Sequence, residues 1–277
     1  GSNQRRCLPY QARQEQCWGV MAQGQSDMHD FAYLTMMASE DAQCQIMLNG
    51  LPILQGPRGA NLQWMDILNL RMKRLNSLEI EMAAQPGQHV DAMFRLSRHA
   101  PGTVVAPDTG IGIRAEIRNA TGASILQEPD GRFTLSGPSP IRAALRFESF
   151  GPDFTQRLEP AEALSPALAQ EMALTALRAL EAGNIDHILT MMAPLIEDIV
   201  SVWNDPPSTL RAEIRQGFLE IADGLPADGL DYNLSAQQLG PLVRVMRDGG
   251  ALFQSMDRSM RMDATFGLVN GQVMILR

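Results

Sequence analysis

The period of the chain changes near Pro160. From Phe31 to Phe150, apolar and polar residues alternate in short runs broken by Gly and Pro, as in β-strands. From Ser165 to Gly224, apolar residues recur every three or four positions, as in helices, and from Pro241 to Arg277 alternation returns. A chain patterned this way predicts an α+β fold in two parts. Residues 1–27 form an N-terminal arm. Residues 28–158 form an antiparallel β-sandwich. Residues 159–277 form a helix-rich α+β domain that ends in an antiparallel sheet.

Within the first part, strands are predicted at Phe31–Met37, Gln43–Leu48, Asn76–Met82, Ser124–Leu126, Arg132–Leu135 and Ile141–Phe150. Asn49-Gly50 is a hairpin signal, because both residues tolerate positive φ. Leu62–Arg74 fits a short helix or an extended run. Leu78, Ile80 and Met82 share one strand face, and Glu79 and Glu81 the other. The strictest alternation, Ile111–Arg118, predicts one half-buried strand with Arg114, Glu116 and Arg118 on its wet face. Six or seven such strands indicate a sandwich.

The second part opens with a helix from Pro166 to Ala182, with Leu168, Met172, Ala173, Ala176, Leu177 and Leu180 inward and Gly183 as its stop. Asn184 is the expected cap of the next helix, which Pro194 kinks or restarts. Ser208 caps a further helix, to about Asp223, with Leu210, Ile214, Phe218 and Ile221 inward. Strands follow at Pro241–Met246, Ala251–Gln254, Met260–Phe266 and Gln272–Leu276, the last across Asn270-Gly271.

Two resemblances attach to these segments. Ile46-Met-Leu-Asn49-Gly50-Leu-Pro52-Ile, then Leu68–Arg71 and Leu75-Asn76-Ser-Leu78-Glu-Ile80, resembles the jelly-roll accessory domains of carbohydrate-active proteins. Such domains hold sugars with loop aromatics, which implies Trp64, with Arg58 and Asn61 in the same loop region, as ligand-binding residues. Ala176–Asp186 and Phe266–Val273 resemble the ends of the ketosteroid isomerase-like cone fold, in which a curved sheet wraps helices around a pocket. No catalytic residue carries over from it.

Composition excludes more than it selects. The 277 residues are 45% hydrophobic and 19% charged, an ordinary globular balance, and the net charge of −8 argues against nucleic acid as a partner. No run approaches the ~20 apolar residues of a membrane-spanning helix. The chain opens Gly1-Ser2 without a methionine, which reads as a cleavage scar left from something longer. Removal of an export signal is a common reason for such a cut, and the sequence leaves open whether one was removed. Of three cysteines, Cys7 and Cys17 flank a polar segment and are a candidate disulfide, while Cys44 reads as a buried thiol. Free thiols at Cys7 and Cys17 are the alternative. The expected location is therefore periplasmic or secreted, with cytoplasmic as the alternative.

Gly110-Ile-Gly112-Ile-Arg-Ala115 matches a dinucleotide fingerprint, but it opens a strand instead of a helix and is rejected. His29, His89, His99 and His187 lack partners at metal-ligand spacing. Asp223, Asp228, Asp231 and Asn233 read as a solvated acidic loop. No catalytic residue, metal or cofactor is assigned. Candidate ligand contacts in the second part are Asp186, His187, Trp203 and Asp263. The expected function is a non-enzymatic binding or accessory protein of the bacterial cell envelope, with a protein, small-molecule or carbohydrate partner. Two alternatives stand beside it. One is a small-molecule-binding enzyme, isomerase- or hydrolase-like, with Asp186, His187 or Asp263 moving protons in a C-terminal pocket. The other is an immunity or assembly factor with an exposed apolar patch. The sequence leaves the oligomeric state open.

Overall fold

The structure, a computed structural model, describes residues 29–38, 42–58, 62–106, 108–203, 206–225, 231–257 and 260–277, with backbone alone at 54–58 and 62–66. It is an α+β chain with antiparallel sheets. The described residues divide into two compact units, one ending at Thr155 and the other running from Gln156 to Arg277.

The N-terminal unit holds β1 (Phe31–Ala38), β2 (Ala42–Leu48), β3 (Leu51–Arg58), β4 (Leu62–Ile67), β5 (Leu75–Ala83), β6 (His89–His99), β7 (Ile111–Gly112), β8 (Glu116–Thr121), β9 (Ser124–Gln127), β10 (Arg132–Pro138) and β11 (Ile141–Glu148). One sheet runs β4-β1-β6-β10-β9, with β7 on β6. The other runs β3-β2-β5-β11-β8. Position by position the two orders pair chain neighbours, so the chain repeatedly folds over from one sheet into the other. At one such corner backbone meets backbone: a Cβ on Gly137 would lie 2.1 Å from the Gly122 carbonyl oxygen, so only glycine fits.

The inner faces share one core. Leu34, Met36, Phe94, Leu96, Phe133 and Leu135 from the first sheet meet Ile46, Leu48, Leu78, Ile80, Met82, Ile141 and Leu145 from the second. Phe94 and Phe133 are cross-strand partners whose rings stack at 5.2 Å. Each buried ring of this kind contributes about 2 kcal/mol from area alone. Cys44 is buried in this core, its Sγ 3.8 Å from Met36 Sδ. Asn49 and Gly50 both take positive φ at the expected hairpin.

Two sequence expectations fail here. Ile111–Arg118 is not one half-buried strand. Its start pairs with β6 in the first sheet and its end with β11 in the second, so it breaks in crossing. Ile111 is 70% exposed and β8 is exposed throughout. β6, the centre of the first sheet, carries no prediction at all. The resemblance placed Trp64 in a loop, whereas its backbone lies on edge strand β4, opposite Met36.

The C-terminal unit holds α1 (Pro166–Glu181), α2 (Ile185–Met191), α3 (Ala193–Trp203) and α4 (Pro207–Asp223), then β12 (Leu234–Leu239), β13 (Leu242–Arg247), β14 (Phe253–Gln254), β15 (Arg261–Met262), β16 (Ala264–Val269) and β17 (Gln272–Ile275). Ser165 accepts from the Leu168 N–H at 3.2 Å and starts α1. α1 buries Ala169, Ala173, Ala176, Leu177 and Leu180, but not Leu168 or Met172 as expected. Asn184 and Ser208 make no capping bond: Asn184 precedes α2 without one, and α4 already begins at Pro207. The strands form a sheet β12-β13-β16-β17 and a separate β14-β15 pair.

Candidate functional site

β13 reads Leu242-Val-Arg-Val-Met-Arg247, one apolar run with an arginine inside it. It lies between β12 and β16, so its side chains have cross-strand neighbours on both sides. Arg244 is 5% exposed. Its Nη2 donates to Asp263 Oδ1 at 2.8 Å. Nε and Nη1 are buried and meet no hydrogen-bond acceptor among the described residues. Gln237 on β12 and Thr265 on β16 are its register partners and therefore share its face. The Gln237 Oε1 is also buried without a described partner. Buried polar groups in native folds are nearly always satisfied, so an orphan donor set beside an orphan acceptor requires an explanation.

Arg247, three residues on, lies on the other face of β13. Its guanidinium carbon stands 5.2 Å from the centre of the Tyr232 ring, and that of Arg178 lies at the same distance. The Tyr232 hydroxyl donates to Glu181 Oε1 at 2.5 Å, and Arg178 Nη1 donates to the same carboxylate at 2.9 Å. Burial, then the hydrogen bond to Glu181, pushes the Tyr232 phenol well above its ordinary range. The phenol is therefore a neutral donor at every physiological pH, and this cluster ties α1 to the segment before β12. Asp198 on α3 is likewise enclosed, accepting from Arg157 Nε at 2.9 Å and from Arg277 Nη1 at 2.7 Å.

The residues expected from sequence are scattered. Asp186 is exposed and, among the described residues, its carboxylate pairs with Arg215 alone. His187 is half-buried, with Nε2 unpartnered among the described residues. Trp203 is buried at the end of α3. No hydrogen bond or ion pair joins Asp186, His187 and Asp263 to one another, and only Asp263 lies at the Arg244 site. Cys7, Cys17, Asn61 and Asp228 lie outside the described residues, Asp223, Asp231 and Asn233 are exposed, and Arg58 and Trp64 are described by backbone alone. Sequence reading missed Arg244 and Gln237. The available signal was a lone cation inside the apolar run Leu242–Met246.

The N-terminal unit carries a buried polar cluster on the outer face of β1 and β6. Ser97 Oγ and His99 Nε2 are 3.0 Å apart, and the Tyr33 ring meets the imidazole edge-on at 5.1 Å. Arg95 donates to the carbonyls of Asp130 (3.0 Å), Gly110 (3.1 Å) and Thr109. Gly110 packs so closely that a Cβ would lie 2.5 Å from His99 Cε1. Burial, aided by the Arg95 charge, lowers the His99 pKa to about 4. Such an imidazole is neutral near pH 7 and too weak a base to activate the buried Ser97. The cluster fastens the segment between β6 and β7 onto the sheet.

Among the described residues, no group of three or more His, Cys, Asp or Glu side chains is placed to hold a metal ion. No described helix is long and apolar enough to cross a membrane. No family model, curated protein or solved structure matches the chain.

Proposed function

We propose that the chain is a non-enzymatic binding protein, an accessory protein of the bacterial cell envelope, and that its C-terminal unit holds an anionic ligand or partner group at Arg244. One observation carries the reading: a guanidinium as buried as the core around it keeps two donor nitrogens, Nε and Nη1, without an acceptor among the described residues. Leaving a buried donor unsatisfied costs about 1–3 kcal/mol, and more when it is charged, so a ligand that supplies the acceptor binds with that energy recovered. The planar fork of arginine suits carboxylate and phosphate oxygens. The likenesses to sandwich accessory domains and to the cone fold belong to the same proposal and rest on the sequence.

The test is isothermal titration calorimetry of the full chain with acetate, glycolate, glycine, phosphate and sulfate. Binding by the wild type, and its loss in Arg244→Met with the fold intact by circular dichroism, supports the reading. Titrations silent for every anion at millimolar concentration overturn it.

A further inference from the structure

We infer that the ligand at Arg244 is a carboxylate with a neighbouring O–H or N–H donor, that is, a hydroxy acid or an amino acid, an inference that rests on Arg244 being a binding residue. Three groups define it. Arg244 offers Nε–H and Nη1–H, which only an acceptor can satisfy. Gln237 Oε1, on the register partner of Arg244, can only accept. The two orphans are of opposite kind on one sheet face, their Cβ atoms about 5 Å apart by strand geometry. A bare carboxylate pairs with the arginine and leaves the Gln237 oxygen unmatched. A carboxylate bearing a hydroxyl or ammonium group one or two bonds away answers both.

Asp263 sets the charge. Its carboxylate accepts from Arg244 Nη2 and is half exposed, so the positive charge of the arginine is already balanced. A dianion would bring two negative charges beside the Asp263 carboxylate and a singly charged acid one, so the dianion is the more disfavoured; a zwitterion with its ammonium toward Asp263 adds no net charge. Thr265, the register partner on the other side, adds a hydroxyl that can donate or accept.

The experiment compares dissociation constants for glycolate, glycine and acetate, with phosphate and sulfate as the other oxyanion pair, on wild type, Gln237→Met and Arg244→Met. The expected result is about tenfold tighter binding of glycolate or glycine than of acetate, the size of one unmatched buried polar group. Gln237→Met should shrink that gap below about twofold and leave acetate unchanged. Gln237→Glu, which sets a second carboxylate at the site, should weaken all three acids. Equal affinities in wild type, unaltered by Gln237→Met while Arg244→Met still abolishes binding, would sink the donor inference and leave the Arg244 reading standing. Phosphate preferred to sulfate, and to all three carboxylates, would overturn the carboxylate class. No binding by any probe removes both.

Discussion

Arg95 in the N-terminal unit and Arg244 in the C-terminal unit are equally buried, at 5% exposure each, and each sits within a strand flanked on both sides. Their surroundings differ. The segment between β6 and β7 and the turn before β10 bring three backbone carbonyls to Arg95. Arg244 has one carboxylate and, among the described residues, two donor nitrogens without an acceptor. Burial therefore does not identify a structural arginine; the number of acceptors within reach does. The contrast is not one of units, because Arg277 in the C-terminal unit is held by Asp198 and by the Leu276 carbonyl.

The comparison breaks most directly at Arg95. Arg95→Met leaves three inward carbonyls unmatched and should cost about 3 kcal/mol or more in urea unfolding, with faster hydrogen exchange between Ala100 and Gly112. A loss below about 1 kcal/mol would show that the clasp holds little.

The next effect is the pH dependence set by His99. Its folded pKa of about 4 lies below the ordinary value of 6.5, so the folded state binds its proton more weakly than the unfolded chain does. The stability contributed by the neutral imidazole is complete above pH 6.5 and is lost as pH falls toward 4. Its size is on the order of 2 kcal/mol. The difference between wild type and His99→Gln isolates it from the carboxylates that titrate in the same window. Parallel stability curves for the two proteins would show that His99 titrates normally.

The smallest effect has the opposite sign. In ligand-free protein, Arg244→Met removes an incompletely paired buried charge and should be neutral or stabilising by about 1 kcal/mol. Destabilisation of 2 kcal/mol or more would place Arg244 beside Arg95 as a structural residue and end the contrast.

Much of the framework was legible in the sequence. Leu78, Ile80 and Met82 face inward as their alternation requires, and Leu210, Ile214, Phe218 and Ile221 line α4 as their spacing requires. Period and turn chemistry are local, so these elements needed no partner to be read. β6 was not legible, because its outer face carries Arg95, Ser97 and His99. Those residues look solvated in sequence and are buried only because the chain returns across them. Ile111–Arg118 failed in the opposite sense: its alternation is real, but the chain changes sheets within it.

The site divides the same way. Asp263 could be named from the sequence as an acidic residue within the expected strand Met260–Phe266. That Arg244 Nε and Nη1 meet no acceptor among the described residues depends on everything packed around them, and that Gln237 stands opposite Arg244 depends on the register of β12 on β13. By itself the sequence determined the change of period, the class of the fold and most element positions, all consequences of local spacing. The tertiary structure alone decided which buried cations are satisfied, because a hydrogen-bond acceptor can come from anywhere in the chain.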